Sequence, residues 1–225
     1  ETAPNLSFVW GQYEQNVIDH SREWYMLCFS YRWEHERKTH VCSLVDFPDA
    51  YKQDPENDFH VVKRLHEMLD DARFVAHGLG PVSPVRQIDT LKVARKYFMF
   101  NSNKLDHLGN YLGVGRKVST GGFETWAGCM RGDRKAWRTM IKYARQDVSL
   151  LRDVYMKLRP WMTNHPNLNV YDGGASCPTC GSDNLQKRGK RHTQTTTYQT
   201  YQCNDCKSYS RTRLAEKVER PEIVP

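Results

Sequence analysis

Four of the seven cysteines fall in two pairs, Cys177-x2-Cys180 and Cys203-x2-Cys206, with 22 residues between them. Each CxxC can bend as a tight knuckle that aims two sulfurs at one point. Two knuckles then supply the four ligands of a tetrahedral zinc site. Pro178 and Gly181 suit the first turn, and Thr195–Gln202 alternates Thr and Tyr with polar residues as a strand does. The pattern reads as a zinc ribbon. A redox CxxC would need a thioredoxin-like βαβ context, which the flanking sequence lacks. Four thiolates leave no open position on the metal, so this zinc is structural, and His192 is an exposed side chain rather than a ligand. A ribbon of roughly 40 residues buries little core, so metal binding supplies its folding energy.

The same segment carries Lys187, Arg188, Lys190, Arg191, Lys207, Arg211 and Arg213, with Tyr198, Tyr201 and Tyr209 among them. Cations neutralise phosphates and aromatic rings stack on bases, so this composition suits a nucleic-acid strand. The alternative is a small protein-docking module. Net charge is +7, and it is concentrated here: residues 173–225 hold nine Lys or Arg against five Asp or Glu, while residues 1–172 hold 24 against 21.

A second constellation is Tyr143 and Asp147, in the run YARQD. Four residues apart on a helix, they point the same way, one turn apart. They flank an apolar stripe, with Arg138, Arg145 and Arg152 toward its other side. A carboxylate at the edge of a buried face can reach a cleft and hold a divalent metal, and the tyrosine can orient a water for attack on a phosphodiester. The plainer alternative is a helix-surface pair.

These residues need elements to hold them. Trp137, Ile141, Ala144, Val148, Leu151, Tyr155 and Leu158 recur by four and three, which predicts one long helix, capped by Asp133 and stopped by Pro160. Trp24–Trp33 and Thr39–Phe47 are β-branched and aromatic, and read as two antiparallel strands around the polar run Glu34–Lys38. Asp54–Asn57 offers caps for a helix carrying Val62, Leu65, Leu69 and Ala72. Val85–Ile88 reads as a short strand, Asp89 caps a helix to Phe98, and Leu105–Leu112 forms another. Gly113–Gly122 is a glycine-rich loop that fits neither GxGxxG nor a P-loop. Thr163–Gly174 has linker composition.

The length, 225 residues, allows one medium domain and a small one. Hydrophobic residues at 39% with 12% aromatics provide core material, which argues against disorder despite a mean hydropathy of −0.76. The richest apolar stretch, Trp24–Tyr31, is far shorter than the ~18 residues of a membrane span, so no membrane partner is expected. An odd cysteine total without a secretory leader points to a reducing, cytoplasmic setting.

YARQDVSLLRDVY resembles the third motif, YxxxD, of DnaQ-like 3′–5′ exonucleases of the four-acid plus tyrosine type. Glu1-Thr2-Ala3-Pro4 resembles the tail of the first motif, Asp-x-Glu-Thr. Ile88–Phe98 (IDTLKVARKYF) and Asn103–Val114 (NKLDHLGNYLGV) resemble the stretch between the second and third motifs. The order and spacing are similar to a bacteriophage-type subgroup with a C-terminal zinc ribbon. The resemblance implies an α/β architecture, an RNase H-like mixed β-sheet with flanking helices over residues 1–170, followed by the ribbon over 171–225. It implies a 3′–5′ exonuclease with two Mg²⁺ or Mn²⁺ ions besides the zinc. Glu1 and Asp147 would be metal carboxylates, and Tyr143 the water-orienting residue. Lys187, Arg188, Lys190, Arg191, Arg211 and Arg213 would contact the nucleic acid, a single-stranded DNA or a 3′ end, with replication or repair proteins as further partners.

Two acids of that pattern are missing. One would precede Glu1. The other belongs after a strand, yet Asp70-Asp71-Ala72 runs straight into Arg73-Phe74-Val75-Ala76-His77-Gly78, as if a strand and most of a helix were absent between Ala72 and Arg73. Either residues are omitted there, or the chain lacks them. In the second case residues 57–77 form one continuous helix, Glu1 and Asp147 alone hold the metals poorly, and the chain is an inactive scaffold acting through its ribbon by binding nucleic acid or docking on protein.

Overall fold

The computed structural model describes residues 6–8, 19–22, 24–68, 78–79, 87–163 and 165–216. By internal contacts the chain divides into two compact units. One draws on Glu1–Val85 and Leu105–Arg152, the other on Arg86–Lys104 and Asp153–Pro225. This partition differs from a single boundary near residue 170, because the helix that Asp89 caps joins the ribbon's unit.

In the first unit, β1 (Leu6–Phe8) pairs antiparallel with β2 (Asp19–Arg22), and β3 (Cys28–Tyr31) pairs antiparallel with β4 (His40–Ser43) in the register Cys28↔Ser43 to Tyr31↔His40. The strands read over Trp24–Trp33 and Thr39–Phe47 are therefore present as a hairpin, but shorter. The chain leaves β4 into a 3-10 turn, Leu44–Asp46, because the Asp46 carboxylate accepts the Ser43 N–H and hydroxyl at 2.8 and 2.9 Å. Helix α1 (Pro48–Gln53) starts on a proline, which lacks the N–H a first turn leaves unpaired.

Helix α2 (Phe59–His66) buries Val61, Val62 and Leu65 on one face. Asp58 holds the N-cap position without a side-chain cap bond, and the predicted segment supplies one instead: the Asn57 side chain accepts the Phe59 N–H at 3.0 Å. Asp58 is 1% exposed, and its carboxylate accepts the Met26 N–H at 2.7 Å, which ties the helix start to the strand side. The helix closes at His66, where the Met68 N–H turns to the Leu65 carbonyl at 2.9 Å. A continuous helix over 57–77 is thus not formed. Leu69, Ala72 and the junction between Ala72 and Arg73 lie outside the described residues, as does Glu1.

Helix α3 (Thr90–Tyr97) begins as the sequence predicts: the Asp89 carboxylate accepts the Leu91 and Lys92 N–H groups. Of the strand expected over Val85–Ile88, Val85 and Arg86 lie outside the described residues, and Gln87 and Ile88 are not strand. Helices α4 (Leu105–Tyr111) and α5 (Phe123–Met130) flank the glycine-rich loop. Helix α6 (Arg134–Leu158) is the long one, with the Lys135 N–H on the Asp133 carboxylate and a 3-10 turn at Arg159–Trp161 in place of a further α turn.

The buried line on α6 differs from the apolar repeat. Trp137, Met140, Ala144, Leu150, Val154 and Leu158 are buried, while Leu151 is 41% exposed. These positions step by three and four, and Asp147 fills the step between Ala144 and Leu150. The acid itself is half-buried, its side chain 21% exposed, so it borders the buried line with one oxygen, Oδ1, turned inward. Met26, Leu27, Val61, Val62, Leu65, Cys129, Trp137 and Met140 form one core, with Tyr143 packed on it. Burial pushes the Cys129 thiol up to about 12 and the Cys42 thiol to about 11, so both stay protonated and act as small apolar groups.

In the second unit, the segment read as a linker contains a short helix, α7 (Asn169–Asp172), and β5 (Leu185–His192), β6 (Thr197–Cys203) and β7 (Tyr209–Arg211) form an antiparallel sheet in that order. Among the described residues every pairing is antiparallel and the largest sheet has three strands. The architecture is mixed α/β, and a single mixed sheet does not form among these residues.

Candidate functional site

The four cysteine sulfurs lie within 4.8 Å of one another, with 3.7 Å between Cys177 and Cys206 Sγ and 3.6 Å between Cys180 and Cys203 Sγ. A tetrahedral zinc with Zn–S bonds of about 2.3 Å places its sulfurs about 3.8 Å apart, so the spacing fits the metal and is far too long for a disulfide at about 2.05 Å. Among the described residues it is the one cluster of three or more metal-ligating side chains.

The two knuckles, CPTCGS and CNDCKS, share one geometry. The Cys177 N–H donates to the Ser182 carbonyl at 2.7 Å and the Cys203 N–H to the Ser208 carbonyl at 3.0 Å. Gly181 and Lys207 N–H groups return to the Cys177 and Cys203 carbonyls, and both residues hold positive φ, +75° and +66°. Lys207 is the one non-glycine with positive φ among the described residues. The Ser208 hydroxyl, 3% exposed, lies 3.1 Å from Cys206 Sγ and 3.4 Å from Cys177 Sγ. Burial opposes charge on Cys177, but the Ser208 hydroxyl and the Thr179 and Cys180 backbone outweigh it and hold the thiol down at about 7. At Cys180 burial wins and the thiol is pushed up.

The basic residues of the ribbon separate by strand register. Arg191 faces Tyr198, and Arg211 faces Thr200, whereas Lys187 faces Tyr201 and Lys190 faces Gln199. Adjacent positions on a strand point to opposite faces, so the arginines share one face and the lysines the other. A bulge sets Arg188 and Gly189 against Thr200; Gly189 has φ +79°, and Arg188 Nε donates to Gln202 Oε1 at 3.0 Å. Lys190 Nζ donates to Glu216 at 2.6 Å. Arg213 follows β7 and is exposed. His192 is likewise exposed and bonds Thr197 rather than a metal.

On α6, Tyr143 and Asp147 do share one side, and a third group joins them. Lys117 Nζ donates to Asp147 Oδ2 at 2.7 Å and to the Tyr143 hydroxyl at 2.9 Å, and lies 5.1 Å from the tyrosine ring centre. Asp147 Oδ1 is buried and has no hydrogen-bond partner. Burial weakens the Lys117 ammonium, but its bonds to Asp147 and Tyr143 more than offset this and hold its pKa above the ordinary lysine value. Burial, with Asp147 close by, raises the Tyr143 phenol despite the opposing lysine. Trp126 meets the Tyr143 ring edge-on at 6.2 Å, and the Ser30 hydroxyl donates to the Ala144 carbonyl at 2.8 Å, which ties β3 to this turn of the helix.

Lys117 is the residue that sequence reasoning misses. It sits in the glycine-rich loop, 26 positions from Tyr143 and 30 from Asp147, and no periodicity links them. The loop is held because the Lys117 N–H donates to the Asp106 carboxylate at 2.8 Å and Gly115 packs on Gly109. A Cβ on Gly109 would stand 2.6 Å from the Gly115 carbonyl oxygen, so the close approach demands glycine. Among the described residues Asp147 belongs to no group of three or more metal-ligating side chains, and Glu1 lies outside them. No family model, no curated protein and no solved structure matches the chain. Among the described residues no helix is long and apolar enough to cross a membrane.

Proposed function

We propose that this chain is a metal-dependent 3′–5′ exonuclease acting on DNA, built on an RNase H-like domain with a zinc ribbon that holds the nucleic acid. The observation that carries the reading is the Asp147 Oδ1 atom: a buried carboxylate oxygen with no partner, one turn from a tyrosine hydroxyl. A buried unpaired oxygen is costly unless something positive meets it, and a divalent cation suits it. Asp147, with Glu1 by the family resemblance, would hold Mg²⁺ or Mn²⁺. Such ions supply Lewis acidity toward water and neutralise charge on the leaving 3′ oxygen. Tyr143 orients the attacking water through its hydroxyl. Lys117 stays protonated at neutral pH and brings a positive charge to the phosphate being cut. The zinc is structural. The seven cysteines form no disulfide, which suits a reducing compartment such as cytoplasm.

The test is release of nucleotides from 3′-labelled single-stranded DNA with Mn²⁺. Asp147→Ala should lower the rate about a hundredfold or more, because metal charge stabilisation is worth several kcal/mol and about 1.4 kcal/mol is tenfold. Equal rates for wild type and variant would remove Asp147 from the mechanism.

One observation favours a second reading. Lys117 Nζ already neutralises Asp147 Oδ2 at 2.7 Å. On that reading the cluster is a structural ion pair, and the chain binds nucleic acid, or docks on replication or repair proteins, without cutting. It would then bind DNA equally with and without Mn²⁺ and release no nucleotides.

A further inference from the structure

The ribbon's sheet has two chemically different faces. On one, Arg191 stands across from Tyr198, and the Arg211 guanidinium lies over the same ring, 3.9 Å from its centre. Arg188 reaches Gln202 on this face, and Gln202 stands across from Tyr209, which is 64% exposed. Among the described residues none of these three arginines pairs with a carboxylate. On the other face, the Lys190 charge is neutralised by Glu216.

We infer that the arginine face is the nucleic-acid surface and that it takes a single strand, with phosphates at Arg188, Arg191 and Arg211 and a base on Tyr209. This rests on reading the ribbon as the part that holds nucleic acid, and is independent of whether the chain cleaves. Three guanidiniums with no carboxylate partner among the described residues complement a polyanion, and each is a planar fork of a kind that matches a phosphate. Stacking on Tyr198 fixes the Arg211 head, so less side-chain freedom is lost on binding. The strandedness follows from Tyr209. A duplex keeps its base faces stacked on each other, so a projecting ring gains only from an unstacked base. An acidic protein surface would use the arginines but has no call for the exposed ring as a base platform.

The experiment is a fluorescence-anisotropy titration of the zinc-loaded full chain with labelled oligothymidylate and with a duplex of equal length, at several salt concentrations, without Mg²⁺ or Mn²⁺. Zinc content is measured for every variant, so that loss of the fold is separated from loss of contact. Arg191→Ala with Arg211→Ala should weaken strand binding about tenfold or more at low salt. It should also flatten the salt dependence by about 1.4, since each phosphate contact on a single strand contributes about 0.7 to the log–log slope. Tyr209→Ala should weaken it between about fivefold and a hundredfold with the slope unchanged, and Tyr209→Phe should retain binding. Lys187→Ala with Lys190→Ala should change it less than about threefold. Equal losses from the two faces, or a duplex bound as tightly as the strand, overturn the assignment of face and strand while leaving a nucleic-acid ribbon. Failure of the wild type to bind any nucleic acid, or binding indifferent to salt, overturns that broader reading as well.

Discussion

Asp147 lies between the buried Ala144 and Leu150 on α6, with its side chain 21% exposed and its Oδ1 atom buried. A carboxylate there is tolerated because Lys117 meets one oxygen; the other has no partner. Removing the lysine should therefore strand the acid. Lys117→Met is expected to lower stability by about 1 kcal/mol in urea unfolding, a figure reduced because the lysine side chain is 33% exposed. Adding Asp147→Asn should recover most of the loss, since an amide carries no charge to bury. The same single variant should gain a larger Mn²⁺-dependent rise in melting temperature than wild type, because the ammonium no longer competes for Asp147. A Lys117→Met protein as stable as wild type would show that the pair contributes nothing.

At the level of elements, the two zinc knuckles solve one turn with different residues. Both need a backbone in the left-handed region after the second cysteine, at Gly181 and at Lys207. For a residue with a Cβ that conformation costs about 1–2 kcal/mol, whereas glycine adopts it freely. Gly181→Ala should weaken zinc binding about fivefold or more in a competition titration. The strain is the cause, because the nearest atom to the added Cβ, Leu168 Cδ1, is 4.0 Å away and causes no clash. Lys207→Gly should bind zinc at least as tightly as wild type. Weaker binding by Lys207→Gly would mean that its side chain, which donates to the Asn204 carbonyl, outweighs the backbone strain. Helix α4 and the loop at Gly115 show the complementary case: a close backbone approach at Gly109 carries Lys117 to its partners on α6.

Across the whole molecule, stability has two sources. The first unit has an apolar core of Leu27, Val61, Val62, Met140 and their neighbours. The ribbon has β5 exposed along nearly its whole length and relies on its four sulfurs. Chelation of zinc should therefore collapse β5–β7 while leaving the core thiols protected. In a thiol-reactivity assay after chelation, Cys177, Cys180, Cys203 and Cys206 are expected to react fast, and Cys28 and Cys129, 0% and 1% exposed, slowly. Simultaneous reaction of all seven would show that the metal holds both units together.

Much of this was written in the chain itself. The CxxC spacing announces a cluster of four sulfurs able to take a metal such as zinc, because each short knuckle aims two thiols at one point. The Asp89 cap, the Pro160 stop and the β3–β4 hairpin likewise follow from local chemistry, in which a residue and its near neighbours suffice. The tertiary structure alone decided what depends on distant pairs. It brought Lys117 to Tyr143 and Asp147, put arginines and lysines on opposite faces of one sheet, and moved α3 into the unit of the ribbon. Loop path and strand register are set by packing between remote segments, and packing leaves no periodic trace in the sequence.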